Sequence, residues 1–396
     1  MTYTPHNSTQ NPIQTARKKL YTVLNTLDKI VIGHETENKL LMLTLVAKEH
    51  AVMISPPGTA KTYTIKTLAQ LLNAKFYKYL LTRFTSDVEI LGPFDIKSLR
   101  ENGVLRRNWS KIVEAEIVFL DEIFKANSSI LNALLSLLQE RILYDPMTGQ
   151  EIPAKLWSCF GASNEVPTEE ELQALYDRFA IRIFFDYLSD DSAILMALHQ
   201  KYLNHITIQP VASMNDVKTI HDYAMVILSS TIKQFGDKPF VDIYHINTVS
   251  MIKELRSKGF IVSDRTIIEK LPKLVASYCA LYGLTADNVL NAVFDILPHV
   301  ASRDRREFSD VKKYITESLG EVGELVEKLE RARGLIRAGD LKQALDVLKE
   351  ILDFDLNTLA SKPWLKPRAE AVLETARKYY EKVQQQLELL KKMAES

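Results

Sequence analysis

The sequence predicts an α/β fold: a parallel sheet with helices on both faces, then an all-α segment and a C-terminal helical bundle. Three observations predict it. Ala51–Ile54 and Ile117-Val118-Phe119-Leu120 are short, wholly apolar runs, as strands buried on both faces of a parallel sheet require. Each runs into a polar segment, Ser55-Pro56-Pro57-Gly58-Thr59-Ala60-Lys61-Thr62 after the first and Asp121-Glu122 after the second. The C-terminal ends of strands are where such sheets bind ligands. From residue 189 onward, apolar residues recur at helical spacing only.

Residues 1–14 are polar, lack an apolar signal core and read as a flexible tail. Residues 15–31 carry Leu20, Val23, Leu24, Leu27 and Ile30 on one helical side, and a second helix over 35–48 leads into the strand at 51–54. Residues 55–62 are a variant of G-x-x-x-x-G-K-[ST], with Ser55 and Ala60 where the pattern has glycine. Backbone N–H groups from Gly58 to Thr62 can wrap a phosphate at the positive end of the helix that follows. Lys61 supplies a point charge for β- and γ-phosphates, and the Thr62 hydroxyl can ligate Mg²⁺. The competing reading is an ordinary strand–turn–helix with a stray lysine. Ser55 is the position to watch, because a φ above zero there would strain a non-glycine residue.

A strand is expected over 76–80. Asn102-Gly103, between mixed runs at 95–100 and 104–109, signals a type I′ hairpin projecting from the sheet. At the end of the 117–120 strand, Asp121 can hold Mg²⁺ and Glu122 can polarise an attacking water; a helix start using both acids as dipole partners is the plainer alternative. A helix over 130–141 turns Leu131, Leu134, Leu135 and Leu138 inward. A second hairpin follows, 141–144 and 150–157, turning through Asp145-Pro146-Met147-Thr148-Gly149. The strand at 157–162 ends on Ser163-Asn164, where Asn164 can reach a γ-phosphate or the lytic water, or serve simply as a turn residue. Arg178 precedes a strand at 181–185, and read alone it is an ion pair with Asp177.

Helices are then expected over 191–203, 216–234, 247–258, 264–282 and 286–296. Ser263 suits the N-cap of the fourth. Arg265 opposes the macrodipole there, a local conflict typical of residues that serve a ligand. Apolar repeats through Ile315–Leu329, Leu341–Leu352 and Val383–Ala394 read as a three-helix bundle packed on itself. The expected division is a tail at 1–14, a nucleotide-binding core at 15–188, an all-α lid at 189–305 and the bundle at 306–396.

The chain has 396 residues, enough for two or three domains. Lys+Arg and Asp+Glu are both 50, which argues against a phosphate backbone as main partner. Cys159 and Cys279 offer no disulfide framework and no metal spacing. No apolar run is long enough to span a bilayer. The reading is a soluble protein of a reducing, ATP-containing compartment, the cytoplasm.

Seven stretches resemble the MoxR family of AAA+ ATPases, over Val31 to about Pro298. They are Ile32-Gly33-His34, the Ser55–Thr62 loop, Leu81-Thr82-Arg83-Phe84, Phe119-Leu120-Asp121-Glu122-Ile123, Ser163-Asn164-Glu165, Ala174-Leu175-Tyr176-Asp177-Arg178 and Ser263-Asp264-Arg265. Several look closest to the RavA branch. The resemblance implies ATP held by the loop from Ser55 through Pro56, Pro57, Gly58, Thr59 and Ala60 to Lys61, with Thr62 and Asp121 on Mg²⁺. It implies Glu122 as catalytic carboxylate beside Asp121, Asn164 as sensor 1, Arg265 as sensor 2, and Ile32 and Gly33 against adenine. Arg178 would be an arginine finger reaching a neighbouring subunit's γ-phosphate. The two hairpins would be the helix-2 insert and the pre-sensor-1 insertion. The family further implies a ring, taken as a hexamer, that remodels protein clients together with a von Willebrand factor A domain partner. RavA-like proteins insert a β-rich domain in the C-terminal helices, and this chain has no room for one. Two other classes stay open. A nucleic-acid motor or loader would use Arg100, Arg106, Arg107 and Lys111 around the first hairpin. A nucleotide-gated scaffold with little turnover is suggested by Ser55.

Overall fold

The computed structural model describes residues 11–188, 190–203, 207–232, 238–361 and 366–395. The strands are β1 (Ala51–Ile54), β2 (Phe76–Leu80), β3 (Ile117–Asp121), β4 (Ile142–Asp145), β5 (Gln150–Pro153), β6 (Ser158–Ser163) and β7 (Ile181–Phe184). Five form one parallel sheet in the order β2-β3-β6-β1-β7, while β4 and β5 make a separate antiparallel hairpin. The parallel register sets Ile54 beside Ser163 and Phe184, and Leu80 beside Asp121. The polar segments that end β1, β3 and β6 therefore emerge at one edge. β1 and β7 are buried throughout, and β3 is buried up to Asp121, as their unbroken apolar runs demand.

The helices are α1 (Pro12–Ile30), α2 (Glu35–Ala47), α3 (Lys61–Leu71), α4 (Asp87–Leu91), α5 (Ile96–Asn102), α6 (Ser128–Glu140), α7 (Glu170–Tyr176) and α8 (Asp191–Tyr202). They continue as α9 (Met214–Ser229), α10 (Phe240–Ser257), α11 (Leu271–Tyr282), α12 (Ala286–Ala301), α13 (Arg305–Leu319), α14 (Glu321–Arg337), α15 (Leu341–Leu352) and α16 (Lys366–Glu395). The first helix starts inside the expected tail. Asn11 caps it through its side chain at 3.1 Å from the Ile13 N–H, and Pro12 takes the first helical position. Residues 1–10 of that tail lie outside the described residues. Helix α2 is buried nearly all round, because α9 and α11 cover it. The helices from α9 to α12 thus pack against α1, α2 and β7, while α8 lies by the 55–62 loop, with Ala197, Gln200 and Lys201 in the cleft beside it.

The first hairpin does not form. Residues 96–102 are helical, Asp95 caps them through the Ser98 N–H at 3.1 Å, and Gly103 ends the helix at φ 63. The Asn-Gly pair is a helix terminus, since a left-handed glycine serves a C-cap as well as a turn. A single antiparallel bridge, Phe94 to Arg107, is what remains of pairing there. Arg107, one of the four cations that a nucleic-acid motor would use, is buried. It makes two parallel bonds of 2.9 Å to Asp145, at the end of β4, and others to Asp87 and the Gly92 carbonyl. The second hairpin forms as expected.

The chain divides into two compact units after Phe308. In the second, α14, α15 and α16 pack together. The repeat from Ile315 to Leu329, read as one helix, is interrupted at Gly320 (φ 53), which separates α13 from α14.

Candidate functional site

The loop after β1 is tied to the sheet at its first residue, where the Ser55 N–H donates to Ser163 O at 3.1 Å. Gly58 (φ 84) and Ala60 (φ 61) are left-handed, and Ser55 is not. The glycine replacement at 55 is therefore free of backbone strain, and the one at 60 carries it, at about 1 kcal/mol. Left-handed residues turn successive N–H groups into a concave anion nest, and the unpaired amides that open α3 continue it. Ser55 has a second use. Its hydroxyl lies 2.8 Å from Thr59 Oγ1 and accepts from Lys61 Nζ at 2.6 Å. Lys61 also donates to Asn164 Oδ1 at 3.2 Å. Burial pushes the Lys61 ammonium below its usual range, against the pull of Asp121 and Glu122.

Glu122 sits at φ 53, a strained conformation for a non-glycine residue and one that clusters at functional sites. Its N–H donates to Asp121 Oδ1 at 3.1 Å. Its carboxylate accepts from Asn164 Nδ2 at 2.8 Å and pairs with Lys125 Nζ at 3.3 Å. Ser55, Lys61, Asn164 and Glu122 are thus linked side chain to side chain. Thr62, in the first turn of α3, and Asp121, at the end of β3, offer the oxygen donors that Mg²⁺ prefers. No group of three His, Cys, Asp or Glu among the described residues is arranged to hold a metal ion by itself. A metal here would complete its shell from phosphate and water, as Mg²⁺ usually does.

A cleft of about 600 Å³ adjoins the loop, lined by Gly58 to Ala60, Ile32, His34, Tyr63, Tyr187 and Lys201 among others. Ile32 is in the wall. Gly33 (φ 79) sits behind it, so close to the Leu188 side chain that a Cβ would meet it at 2.5 Å. The volume and the mixed aromatic and aliphatic lining suit a nucleoside. Tyr63, Tyr187 and Lys201 were not singled out in the sequence. Tyr187 donates to Pro57 O at 3.2 Å, closing one side of the loop, and no spacing rule connects these segments.

Arg178 and Arg265 are elsewhere. They line a second cleft, of about 290 Å³, with Arg141, Lys270, Lys273 and Glu49. This cleft lies where β1 and β7 begin, whereas the loop lies where β1 ends. Four residues of strand, ~13 Å, separate the two edges. Arg178 Nε is buried and has no hydrogen-bond partner among the described residues. Arg265 donates to Glu269 at 3.1 Å. Arg265, expected as sensor 2, stands at this edge because α9 and α11 pack on α2.

A parallel α/β sheet of this order, with a phosphate-type loop after β1 and two carboxylates after β3, the next strand but one, defines an AAA+ ATPase core. The family described as the MoxR domain of MoxR–vWA–beta-propeller ternary systems matches residues 18–222. The chain belongs to that MoxR family. It is 34% identical over 288 residues to an uncharacterized protein of Methanocaldococcus jannaschii, covering 72% of each chain. A second uncharacterized protein of that organism is 32% identical over 349 residues, 84% of this chain and 86% of the other. Chaperone MoxR1 of Mycobacterium tuberculosis is 23% identical over 310 residues, 69% and 80% of the two chains. A solved structure from Cytophaga hutchinsonii, assigned as an ATPase, has the same fold: TM-score 0.58 at 19% identity, covering 76% of this chain and 92% of that one. No helix among the described residues is long and apolar enough to cross a membrane.

Proposed function

We propose that this chain hydrolyses ATP with Mg²⁺ in a ring, taken as a hexamer, and uses the cycle to remodel protein clients in the cytoplasm. One observation supports the ring above all: Arg178 and Arg265 share a cationic cleft at the sheet edge away from the chain's own loop. A buried guanidinium Nε without a partner calls for an acceptor, and a neighbour's triphosphate is the acceptor that the rest of the site implies. Arg178 is the finger, and Arg265 serves the neighbour with it. In its own site Lys61 leaves Ser55 for the phosphates, Thr62 and Asp121 hold the metal, and Glu122 polarises the water that Asn164 helps to orient. Mg²⁺ would neutralise charge on the β- and γ-oxygens. Ile32 and Tyr187 wall the nucleoside. A von Willebrand factor A domain partner is proposed from the family's own description; placement beside RavA rests on motifs alone.

The nucleic-acid alternative loses support because Arg107 is buried on Asp145, where it cannot meet a phosphate backbone. The test of the ring mixes two inactive variants. Glu122→Gln keeps its finger and Arg178→Ala keeps its Glu122, so a mixed ring contains sites with every group, and ATPase activity should reappear. No recovery despite subunit exchange, followed with labelled protomers, would make Arg178 a residue of its own site. A wild-type protein with no steady-state ATPase would leave the nucleotide-gated scaffold.

A further inference from the structure

We propose that Lys270 is the positioning residue that fastens the Arg178 loop to the helix bearing Arg265, so that both guanidiniums meet a neighbouring copy as one unit. The proposal rests on the reading that Arg178 acts on that neighbour's nucleotide. Lys270 is only 6% exposed. Its ammonium donates to the carbonyls of Asp177 and Phe179, the latter at 3.5 Å. These are the residues on either side of Arg178, so the lysine brackets the finger through its backbone and leaves its side chain free. Burial lowers the ammonium to about 8, and the two carbonyls offset part of that cost.

The local helix geometry serves the same end. Thr266–Lys270 is a π-helical turn, with the Leu271 N–H bonded to Thr266 O. At α spacing, five residues place side chains roughly 140° apart. An i→i+5 turn stacks them instead, which lets Arg265 and Lys270 line one cleft. Ser263 pins the start of this segment through the Thr266 N–H at 3.2 Å. Arg182 holds the other side of the Arg178 loop, reaching Asp177 at 3.4 Å and Val300 O at 2.6 Å. The finger loop is thus tied to the helical segment at two points, and Lys270 is the one adjacent to the arginine.

The experiment measures ATPase kinetics of full-length Lys270→Met and Lys270→Arg, alone and in mixtures, with folding checked by circular dichroism. Lys270→Met should keep KM within about twofold, because its own nucleotide cleft is untouched, and lose kcat by about 10²-fold, the usual cost of a slightly misplaced group. Lys270→Arg, which can still donate to both carbonyls, should recover most of the rate. Mixing gives the discriminating readout. Lys270→Met should regain activity with Glu122→Gln, which supplies a sound finger, and should not regain it with Arg178→Ala, which does not. Wild-type kcat in Lys270→Met, or recovery with Arg178→Ala, overturns the proposal. If Lys270→Met does not fold, Lys270→Gln, with one amide donor, is put through the same mixtures under the same criteria. Failure of the underlying reading shows separately: Arg178→Ala and Glu122→Gln then fail to complement each other, and the proposal falls with it.

Discussion

At Ala60 a methyl group sits on a left-handed backbone. Ala60→Gly should therefore raise stability by up to about 1 kcal/mol, the strain relieved less the entropy glycine adds to the unfolded chain. A denaturation midpoint that falls would show that the loop tolerates the alanine without strain. Lys61→Ala should abolish ATP binding by calorimetry, since Lys61 is the side-chain cation closest to the loop amides; unchanged affinity would remove it from the site. Residues such as Lys61, Thr62, Asp121 and Glu122 were legible because their spacing follows one continuous strand, loop or helix. Asn164 was legible only through its place at a strand end beside them. Tyr63, Tyr187 and Lys201 were not, because the cleft wall comes from segments more than a hundred residues apart that only packing brings together.

At the level of elements, the Arg107–Asp145 pair clasps the α5 insertion to the β4–β5 hairpin with both side chains fully buried. Arg107→Met leaves the Asp145 carboxylate uncompensated and should cost about 3–5 kcal/mol by denaturant titration. A cost under 1 kcal/mol would mean that the pair is dispensable. His50 joins three elements at the start of β1. Its Nδ1 accepts from the Cys159 N–H at 2.9 Å, so Nε2 carries the proton and donates to Leu138 O at 2.9 Å. Burial lowers its value from 6.5 to about 3. The unfolded chain binds a proton below 6.5 that the folded chain refuses, so this contribution is complete above that pH and is lost as pH falls toward 3. His50→Gln should flatten the pH dependence of the urea midpoint in that window, and parallel profiles would exclude His50. Strand and helix positions were readable from periodicity. The α5 segment was misread because Asn-Gly serves a hairpin and a helix end equally, and the deciding residue, Asp95, lies seven positions upstream of Asn102.

For the molecule as a whole, the division after Phe308 decides where the chain can be cut. A cut at 301 looks sufficient if the lid ends with its last periodic helix. It would remove Arg303, whose carbonyl accepts from Tyr176, and Arg305, which bonds Asp186 and the Phe185 carbonyl. It would also remove Phe308, whose ring lies tilted 5.3 Å from that of Phe184 and 4.7 Å from that of His299. A chain ending at Phe308 should fold and bind ATP, whereas one ending at Ala301 should melt at a lower temperature. Equal melting temperatures would show these contacts to be idle. The helical character of the last ninety residues was legible from their repeats, but the contacts of Arg303, Arg305 and Phe308 were not, because single side chains have no period.

The two clefts at opposite edges of one sheet also bear on abundance. On the proposed reading every reaction centre is shared property, half from each of two molecules, joined head to tail in the geometry that yields closed rings or open filaments. A solitary chain then owns no working centre, however well it folds. Turnover per chain should rise steeply with protein concentration until the rings are full, so that dilution alone silences the activity and crowding restores it.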